Sequence, residues 1–299
     1  MNPLTGKVAV VAGATRGAGR GIAAMLGEAG ATVYCTGRSS RGSLINRDRP
    51  ETIEETAEMV TKYGGVGIPV RVDHLDAIQV EALFARVKSE QGKLDILVND
   101  IWGGEKSIEF KRFWELDLDK GFKMLRTAID THIITSHYAA PLMIESGKGS
   151  GLIIEITDGD TLNYRGALFY DLAKTTVIRL ALAQAEDLRE HGITALALTS
   201  GFLRSEEMLD NFGVTEANWQ EAAKIDKHFI ASETPYFVGR AAASLAADPN
   251  VFEKTGRAFS SWSLSDEYPF TDINGERPHW GCYFAEHVAG TPEASPQPT

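Results

Sequence analysis

Short apolar runs alternate with longer amphipathic stretches along almost the whole chain. The apolar runs are rich in valine, isoleucine, leucine and alanine, as in the segment KVAVVA at residues 7–12. Such runs are typical of strands that are buried on both faces of a parallel sheet. The pattern predicts seven strands, at residues 7–12, 31–36, 67–73, 94–99, 152–157, 193–199 and 258–262.

The stretches between these strands have apolar residues at helical spacing, with charged residues between them. One stretch opens with a capping box, in which the side chains of Thr52 and Glu55 can each bond the other residue's backbone N–H. The pattern predicts helices at residues 22–30, 53–63, 78–90, 122–145, 168–188 and 240–247.

Strands and helices alternate without a break in composition and without an internal repeat. The predicted fold class is therefore α/β: a single doubly wound Rossmann-type domain over residues 1–288, with a seven-stranded, mostly parallel sheet and helices on both faces. Residues 289–299 are mainly Pro, Gly, Ser and Thr with little to bury, so we expect a disordered tail. Two aromatic and charged stretches, at 105–123 and 202–229, are interpreted as a loop-rich wall and a lid of a pocket.

The net charge of −11 argues against a nucleic-acid partner and against binding to an anionic membrane surface. Cys35 and Cys282 cannot form a disulfide framework in so long a chain, and the N-terminus has no signal-peptide pattern. We therefore expect a cytoplasmic protein. The seven histidines show no metal-ligand spacing, so no metal site is expected.

A glycine-rich turn, GATRGAG at residues 13–19, follows the first strand and precedes a helix. Glycines let the backbone approach a pyrophosphate closely, and the helix N-terminus supplies free N–H groups. The alternative is an ordinary turn that needs small residues. The context favours a dinucleotide site, whose candidate residues are Gly13, Thr15, Arg16, Gly17, Ala18 and Gly19.

The second strand is followed by Arg38 and Ser39, where an NAD site would place a carboxylate to bind the ribose hydroxyl. Arginine matches the geometry of a phosphate, so this position favours NADP over NAD. The alternative is a solvated basic loop. Further arginines lie nearby, at Arg16, Arg41, Arg47 and Arg49. Asp73, at the end of the third strand, could accept a hydrogen bond from the adenine amine.

Tyr170 and Lys174 lie four residues apart near the start of a predicted helix, which places their side chains on one face. A phenol with a pKa near 10 is a poor acid at neutral pH unless a neighbouring ammonium stabilises the phenolate. The pair therefore indicates proton transfer. The alternative is a packed surface tyrosine with a solvated lysine beside it.

These motifs resemble those of the short-chain dehydrogenase/reductase family. The glycine turn at 13–19, VND at 98–100 and YDLAK at 170–174 occur in the family's order, within a match over residues 5–262. More narrowly, NDIWGG at 99–104 and DINGERP at 272–278 are similar to one subgroup of the family. That resemblance implies a C-terminal extension, residues 263–288, near the pocket or a subunit interface.

The resemblance implies hydride transfer between NADP(H) and a small-molecule carbonyl or alcohol. Tyr170 would be the general acid/base, and Lys174 would hold the nicotinamide ribose. Asn99 would support the adenine ribose, and Ser205 falls where the family often has a threonine at the carboxamide. The helices near 122–145 and 168–190 pair between subunits in this family, so a homodimer or homotetramer is expected.

Several positions differ from the family pattern: Ala12, Ile101, Trp102, Ala128 and Ser200. Ala128 falls where the family has an asparagine that relays protons. The family's catalytic serine falls on Thr157 when counted back from Tyr170, but on Asp158 when strand ends are superposed. Thr157 is favoured because a hydroxyl donates at any working pH, whereas an ionised carboxylate only accepts. An alternative function is a catalytically weak NADP(H)-binding sensor or interaction protein.

Overall fold

The computed structural model describes residues 2–43, 49–147 and 149–289. Arg47 and nearly all of the expected C-terminal tail lie outside these ranges. Within them the chain forms one seven-stranded sheet in which every neighbouring pair is parallel. The strands are β1 Val8–Ala12, β2 Thr32–Gly37, β3 Val66–Arg71, β4 Ile96–Asn99, β5 Leu152–Asp158, β6 Thr194–Ser200 and β7 Ala258–Ser260.

The spatial order of the strands is β3-β2-β1-β4-β5-β6-β7, so the chain reverses its direction of travel between β1 and β4. This confirms the predicted doubly wound α/β fold. In such sheets ligands bind outside the carboxyl ends of the strands, at the point where the order reverses. The glycine turn, which follows β1, lies at that point.

Helices cover both faces of the sheet. They are α1 Gly17–Glu28, α2 Ile53–Lys62, α3 Ala77–Gln91, α4 Leu118–Leu125, α5 Thr131–Gly147, α6 Leu168–Leu188, α7 Glu206–Asn211, α8 Pro235–Ala247, α9 Ser261–Glu267 and α10 Trp280–His287. The predicted capping box of α2 is present: the Thr52 hydroxyl accepts from the Glu55 N–H, and the Glu55 carboxylate accepts from the Thr52 N–H.

Alternate residues of β1 pack into two separate hydrophobic cores. Val11 packs in a core with Ile22 of α1 and Val238 of α8. Val10 packs on the other face with Val80 of α3 and Met143 of α5. Because successive strand residues point to opposite faces, a strand covered on both sides must be apolar at every position. This is the physical basis of the apolar runs in the sequence.

The structure corrects several predicted element bounds. The first helix begins at Gly17 rather than residue 22, because the glycine turn leads directly into it. The last strand ends at Ser260, whose hydroxyl accepts from the Ser263 N–H and so starts α9. Part of the predicted loop 105–123 is helical from Leu118, and a π-helical turn, Arg126–Asp130, joins α4 to α5.

Candidate active site

A cleft of about 930 Å³ lies at the carboxyl ends of the strands. It is lined by most of the residues predicted from the sequence as site residues. These are Gly13, Thr15, Arg16, Gly17, Ala18, Arg38, Ser39, Asp73, Thr157, Asp158, Tyr170, Lys174 and Ser205. Gly19 and Asn99 do not line it.

The glycine turn is held against the ends of β2 and β4. The N–H groups of Gly13 and Ala14 donate to the Thr36 carbonyl oxygen at 3.0 and 2.9 Å. Gly13 has φ +90°, and a Cβ atom there would lie 2.2 Å from the carbonyl oxygen of Asp100. Only glycine fits this conformation and this approach. Gly19 supports the turn through its N–H, which donates to Asp100 Oδ2 at 2.5 Å. Burial raises the pKa of the Asp100 carboxyl to about 7.

Asn99 is fully buried, and its side chain turns into the protein rather than into the cleft. Its Nδ2 donates to Glu155 Oε1 at 3.0 Å and to Ser136 Oγ at 2.9 Å. Glu155 is itself fully buried and also bonds His132 Nδ1 at 2.6 Å. A buried carboxylate needs several donors, and this need fixes the orientation of the Asn99 side chain. The predicted role of Asn99 in supporting the adenine ribose stays a prediction, and its side-chain amide group is engaged inside the protein.

The arginines near β2 do not act as one cluster. Arg38 lines the cleft, with Nη1 4.0 Å from Asp73 Oδ2. Arg41 forms a bidentate ion pair with exposed Glu58. Arg49 is buried and pairs with Glu51 and with Asp210 of α7. Of these described arginines, only Arg38 and Arg16 line the cleft.

The guanidinium of Arg16 is only partly neutralised. Its Nε lies 3.4 Å from a Glu51 carboxylate oxygen. The same atom is buried and makes no hydrogen bond among the described residues. A buried donor without a partner is costly unless a ligand satisfies it. The arrangement therefore suits an anion bound at the glycine turn.

The hydroxyl of Tyr170 donates to Asp158 Oδ2 at 2.5 Å. Burial raises the pKa of Tyr170 above its ordinary value, and the charge of Asp158 raises it further. The tyrosine therefore stays protonated at neutral pH in this arrangement. Asp158 occupies the end of β5, in register with Ser200 of β6.

Thr157 does not face Tyr170. Its hydroxyl donates to the backbone carbonyl oxygen of Lys174 at 2.7 Å, and the residue is buried. In this geometry the Thr157 hydroxyl bonds the backbone of α6, whereas Asp158 bonds Tyr170. The assignment of the serine role to one of these two residues stays a prediction.

The loop that leads from β5 into α6 is held by Arg165, which the sequence analysis did not identify. Its Nε donates to the Asp158 carbonyl oxygen at 2.5 Å, and its Nη2 donates to that of Thr161 at 2.9 Å. Its Nη1 also contacts Asp171 Oδ1 at 3.2 Å. One partly buried guanidinium thus ties the end of β5 to the first turn of α6.

Trp102 is a second residue that the sequence analysis did not assign to the site. Its ring lies 5.7 Å from the Tyr170 ring, with an interplanar angle of 68°. The Lys174 ammonium lies 4.2 Å from the centroid of the Trp102 ring. The sequence signal was a tryptophan where the family has a small residue, followed by two glycines.

The far wall of the cleft is apolar and aromatic. It includes Phe202, Leu203, Met208, Trp262, Trp280 and Val288. Trp280 belongs to α10 and packs edge-on against Phe202, with centroids 5.7 Å apart. Trp280 and Val288 of the C-terminal extension thus line the cleft. Ser205 accepts from the Met208 N–H at 3.3 Å and so caps α7.

Glu233 lies behind this wall and is almost fully buried. Its Oε2 accepts from the Ser261 hydroxyl at 2.6 Å and from the Gly201 N–H at 2.9 Å. Its Oε1 has no hydrogen-bond partner among the described residues. Burial raises the pKa of Glu233 to about 8.

The described residues contain no group of three or more His, Cys, Asp or Glu side chains arranged to hold a metal ion. Over the same ranges, no helix is long and apolar enough to cross a membrane.

A family model described as short chain dehydrogenase matches residues 7–216 of the chain. The match covers more than half of the 299 residues. The protein therefore belongs to the short-chain dehydrogenase/reductase family, which comprises oxidoreductases that use a nicotinamide cofactor. The resemblance seen in the three motifs is confirmed.

Two mammalian relatives cover most of the chain. The mouse protein Dehydrogenase/reductase SDR family member 1 is 34% identical over 279 residues, which is 91% of this chain and 85% of the mouse protein. The human protein of the same name is 33% identical over 278 residues, with the same coverage. These matches confirm the narrower resemblance to one subgroup.

A solved structure of a short chain dehydrogenase from Mycobacterium thermoresistibile has the same fold. Its TM-score is 0.76 at 23% identity, and the alignment covers 93% of this chain and 92% of that one. At this identity the likeness shows the fold alone.

Proposed function

We propose that the protein is an NADP(H)-dependent oxidoreductase that interconverts a small-molecule carbonyl and the corresponding alcohol, with Tyr170 as general acid/base. The observation that carries this proposal is the position of Tyr170 and Lys174 in the same cleft as the glycine turn. A proton donor and a dinucleotide site must share one cavity if hydride and proton are to reach one substrate.

The residues of the cleft fit a dinucleotide. At Gly13 the backbone leaves no room for a Cβ atom, and the α1 N-terminus opens beside it. Gly13, Thr15, Arg16, Gly17 and Ala18 would hold the pyrophosphate, with Gly19 supporting the turn.

The preference for NADP rests on the end of β2. Arg38 and Ser39 would bind the 2′-phosphate, since this turn offers a guanidinium and a hydroxyl in place of a carboxylate. Asp73 would accept from the adenine amine, and Ser205 would contact the carboxamide. When bound, the nicotinamide supplies or accepts the hydride.

Asp158 would act as the proton acceptor behind Tyr170. In alcohol oxidation the phenol oxygen accepts the proton of the substrate hydroxyl, while the phenol passes its own proton to Asp158 along the 2.5 Å bond. Reduction runs the same transfer in reverse. Tyr170 then never needs to become a phenolate, which is consistent with its raised pKa. Thr157 would support the backbone of α6 through its bond to Lys174.

We also propose that the protein assembles as a homodimer or homotetramer. Helix α4 and its neighbours present large apolar side chains to solvent, including Phe113, Leu118 and Phe122, which are 63%, 56% and 56% exposed. Exposed apolar groups of this size commonly mark subunit interfaces. Sedimentation at micromolar concentration tests this, and a monomer would contradict it.

The direct test of function measures oxidation of NADPH and of NADH with a panel of aldehydes, ketones and quinones. We expect turnover with at least one class of carbonyl and a lower KM for NADPH than for NADH. Equal KM values would contradict the NADP preference. Tight NADPH binding without turnover across the panel would instead support the alternative of a sensor, to which Ala128 at the relay position points.

A further inference from the structure

The ammonium of Lys174 faces an aromatic ring rather than a polar partner. It lies 4.2 Å from the centroid of Trp102 and 5.9 Å from that of Tyr170. Within the described residues it makes no hydrogen bond or ion pair, although the carboxyls of Asp100 and Glu105 act on it at longer range. The tryptophan face can fix its position, since a cation within about 6 Å of an indole ring is attracted to it.

The local sequence is built to hold this ring. Gly103 has φ +156°, a conformation that side chains rarely allow. A Cβ atom at Gly104 would lie 2.6 Å from Cη2 of Trp102 and 3.0 Å from Cγ of Met124. A larger residue at position 104 would displace the indole, and one at position 103 would strain the backbone. The two glycines of NDIWGG therefore belong to the same structural feature as Trp102.

The edge of the indole also meets Tyr170. The two rings are 5.7 Å apart at 68°, an edge-to-face arrangement that restrains the phenol. One side chain thus contacts both members of the Tyr170–Lys174 pair. By contrast, the position of the family's relay residue is Ala128, which is buried and has no polar side chain.

Resting on the function proposed above, we infer that Trp102 is a positioning residue. Its indole face holds the Lys174 ammonium at the place where the nicotinamide ribose must be bound, and its edge restrains Tyr170. Trp102 acts through Lys174 and neither gives nor takes a proton.

A double-mutant cycle tests this inference. The variants are Trp102→Leu, which removes the ring, Lys174→Met, which removes the cation, and the two combined. Trp102→Phe is the matched control, because it keeps an aromatic face at the same position. For each protein kcat and KM are measured with NADPH and the best carbonyl substrate found.

We expect Trp102→Leu to lower kcat/KM about tenfold, the loss typical of a desolvated cation–π contact. Trp102→Phe should recover to within about threefold of wild type. The combined variant should be only slightly worse than Lys174→Met alone, because once the cation is gone the ring keeps only its edge contact with Tyr170. Effects that multiply in the combined variant, or no recovery in Trp102→Phe, would show that the ring only fills space and would overturn the inference.

The cycle also separates this inference from the proposed function. If wild type turned over no carbonyl, the proposed function would fail, and the same cycle would be measured as NADPH dissociation constants. Non-additive constants would still support Trp102 as the residue that positions Lys174. Additive constants, or no binding of NADPH, would overturn it.

Discussion

The two halves of the cleft present different kinds of surface to a ligand. In the cofactor half, which follows β1 and β2, the surface offered to a ligand is mainly backbone, as in the Gly13 turn packed on Asp100. In the catalytic half, which follows β4 and β5, the surface is formed by side chains from distant parts of the chain. Trp102, Asp158 and Tyr170 meet there although 68 residues separate the first from the last.

This difference determines how each half responds to change. A backbone surface tolerates no added atom where two segments touch, and in this half the dependence on charge is confined to the Arg16 and Arg38 side chains. A side-chain surface can repack, yet its chemistry depends on single protons and single hydrogen bonds. Substitutions should therefore affect binding and stability in the first half and rate and pH dependence in the second.

The largest effect is expected from Tyr170→Phe in the catalytic half. The phenol proton is needed only at the substrate oxygen, so kcat should fall on the order of 10²–10⁴-fold while the NADPH dissociation constant stays nearly unchanged. Steady-state kinetics and fluorescence titration measure the two quantities. Substantial remaining turnover would place the acid on another residue.

A backbone test of the cofactor half is Gly13→Ala, with Gly6→Ala as its matched control. Both glycines have positive φ, at +90° and +79°, but only Gly13 has neighbours within 4 Å of an added Cβ. The control should lose about 1–2 kcal/mol of unfolding free energy from the left-handed conformation alone. Gly13→Ala should lose about 1–3 kcal/mol more unfolding free energy through overpacking. Its NADPH binding should weaken as well. Equal losses in urea unfolding would contradict the close approach.

Arg38→Ala tests how far cofactor binding in the same half depends on a positive charge. Loss of a hydrogen bond to a charged group costs about 1.5–3 kcal/mol, so NADPH should bind roughly ten- to a hundredfold more weakly. NADH affinity should hardly change, because NADH has no 2′-phosphate for Arg38 to contact. A parallel loss for both cofactors would indicate a structural role for Arg38.

The smallest effect is expected in the catalytic half, from a comparison of Asp158→Asn with Thr157→Val. Asparagine cannot take a proton from Tyr170, so alcohol oxidation at pH 7 should fall about tenfold. The remaining activity should rise toward alkaline pH, because it then requires deprotonation of Tyr170, whose pKa is raised by burial. Thr157→Val should leave the pH profile unchanged, since its hydroxyl bonds the Lys174 backbone. The reverse result would restore Thr157 to the serine role.

The cofactor half could be predicted from sequence because its signals are local. The glycines of the first turn lie within seven residues, directly after an apolar strand. The NADP preference is a prediction of the same kind, and it rests on Arg38 alone of the three nearby arginines that the structure describes apart from Arg16. Arg41 and Arg49 are neutralised by Glu58 and Glu51, which no local pattern indicates.

The catalytic half could be predicted only in part, because its geometry depends on contacts across the sheet. The motif identified Tyr170 and Lys174. It did not decide between Thr157 and Asp158, since that choice depends on the register of β5 with β6. It also could not show that Asn99 turns inward, because the cause is Glu155, 56 residues away.

The buried carboxyl of Glu233 couples folding to the uptake of a proton. In the unfolded chain its pKa has the ordinary value of 4.5, whereas burial raises it to about 8 in the folded protein, where Asp272 raises it and Arg204 lowers it. A raised carboxyl pKa stabilises the fold fully below about pH 4.5, and that stabilisation is lost as the pH rises toward 8. The melting temperature should therefore decline from pH 5 to pH 8 and then level off, and Glu233→Gln should flatten the decline. The wall that carries Phe202 and Trp280 would thus be weakened in alkaline solution, as Glu233 loses its proton.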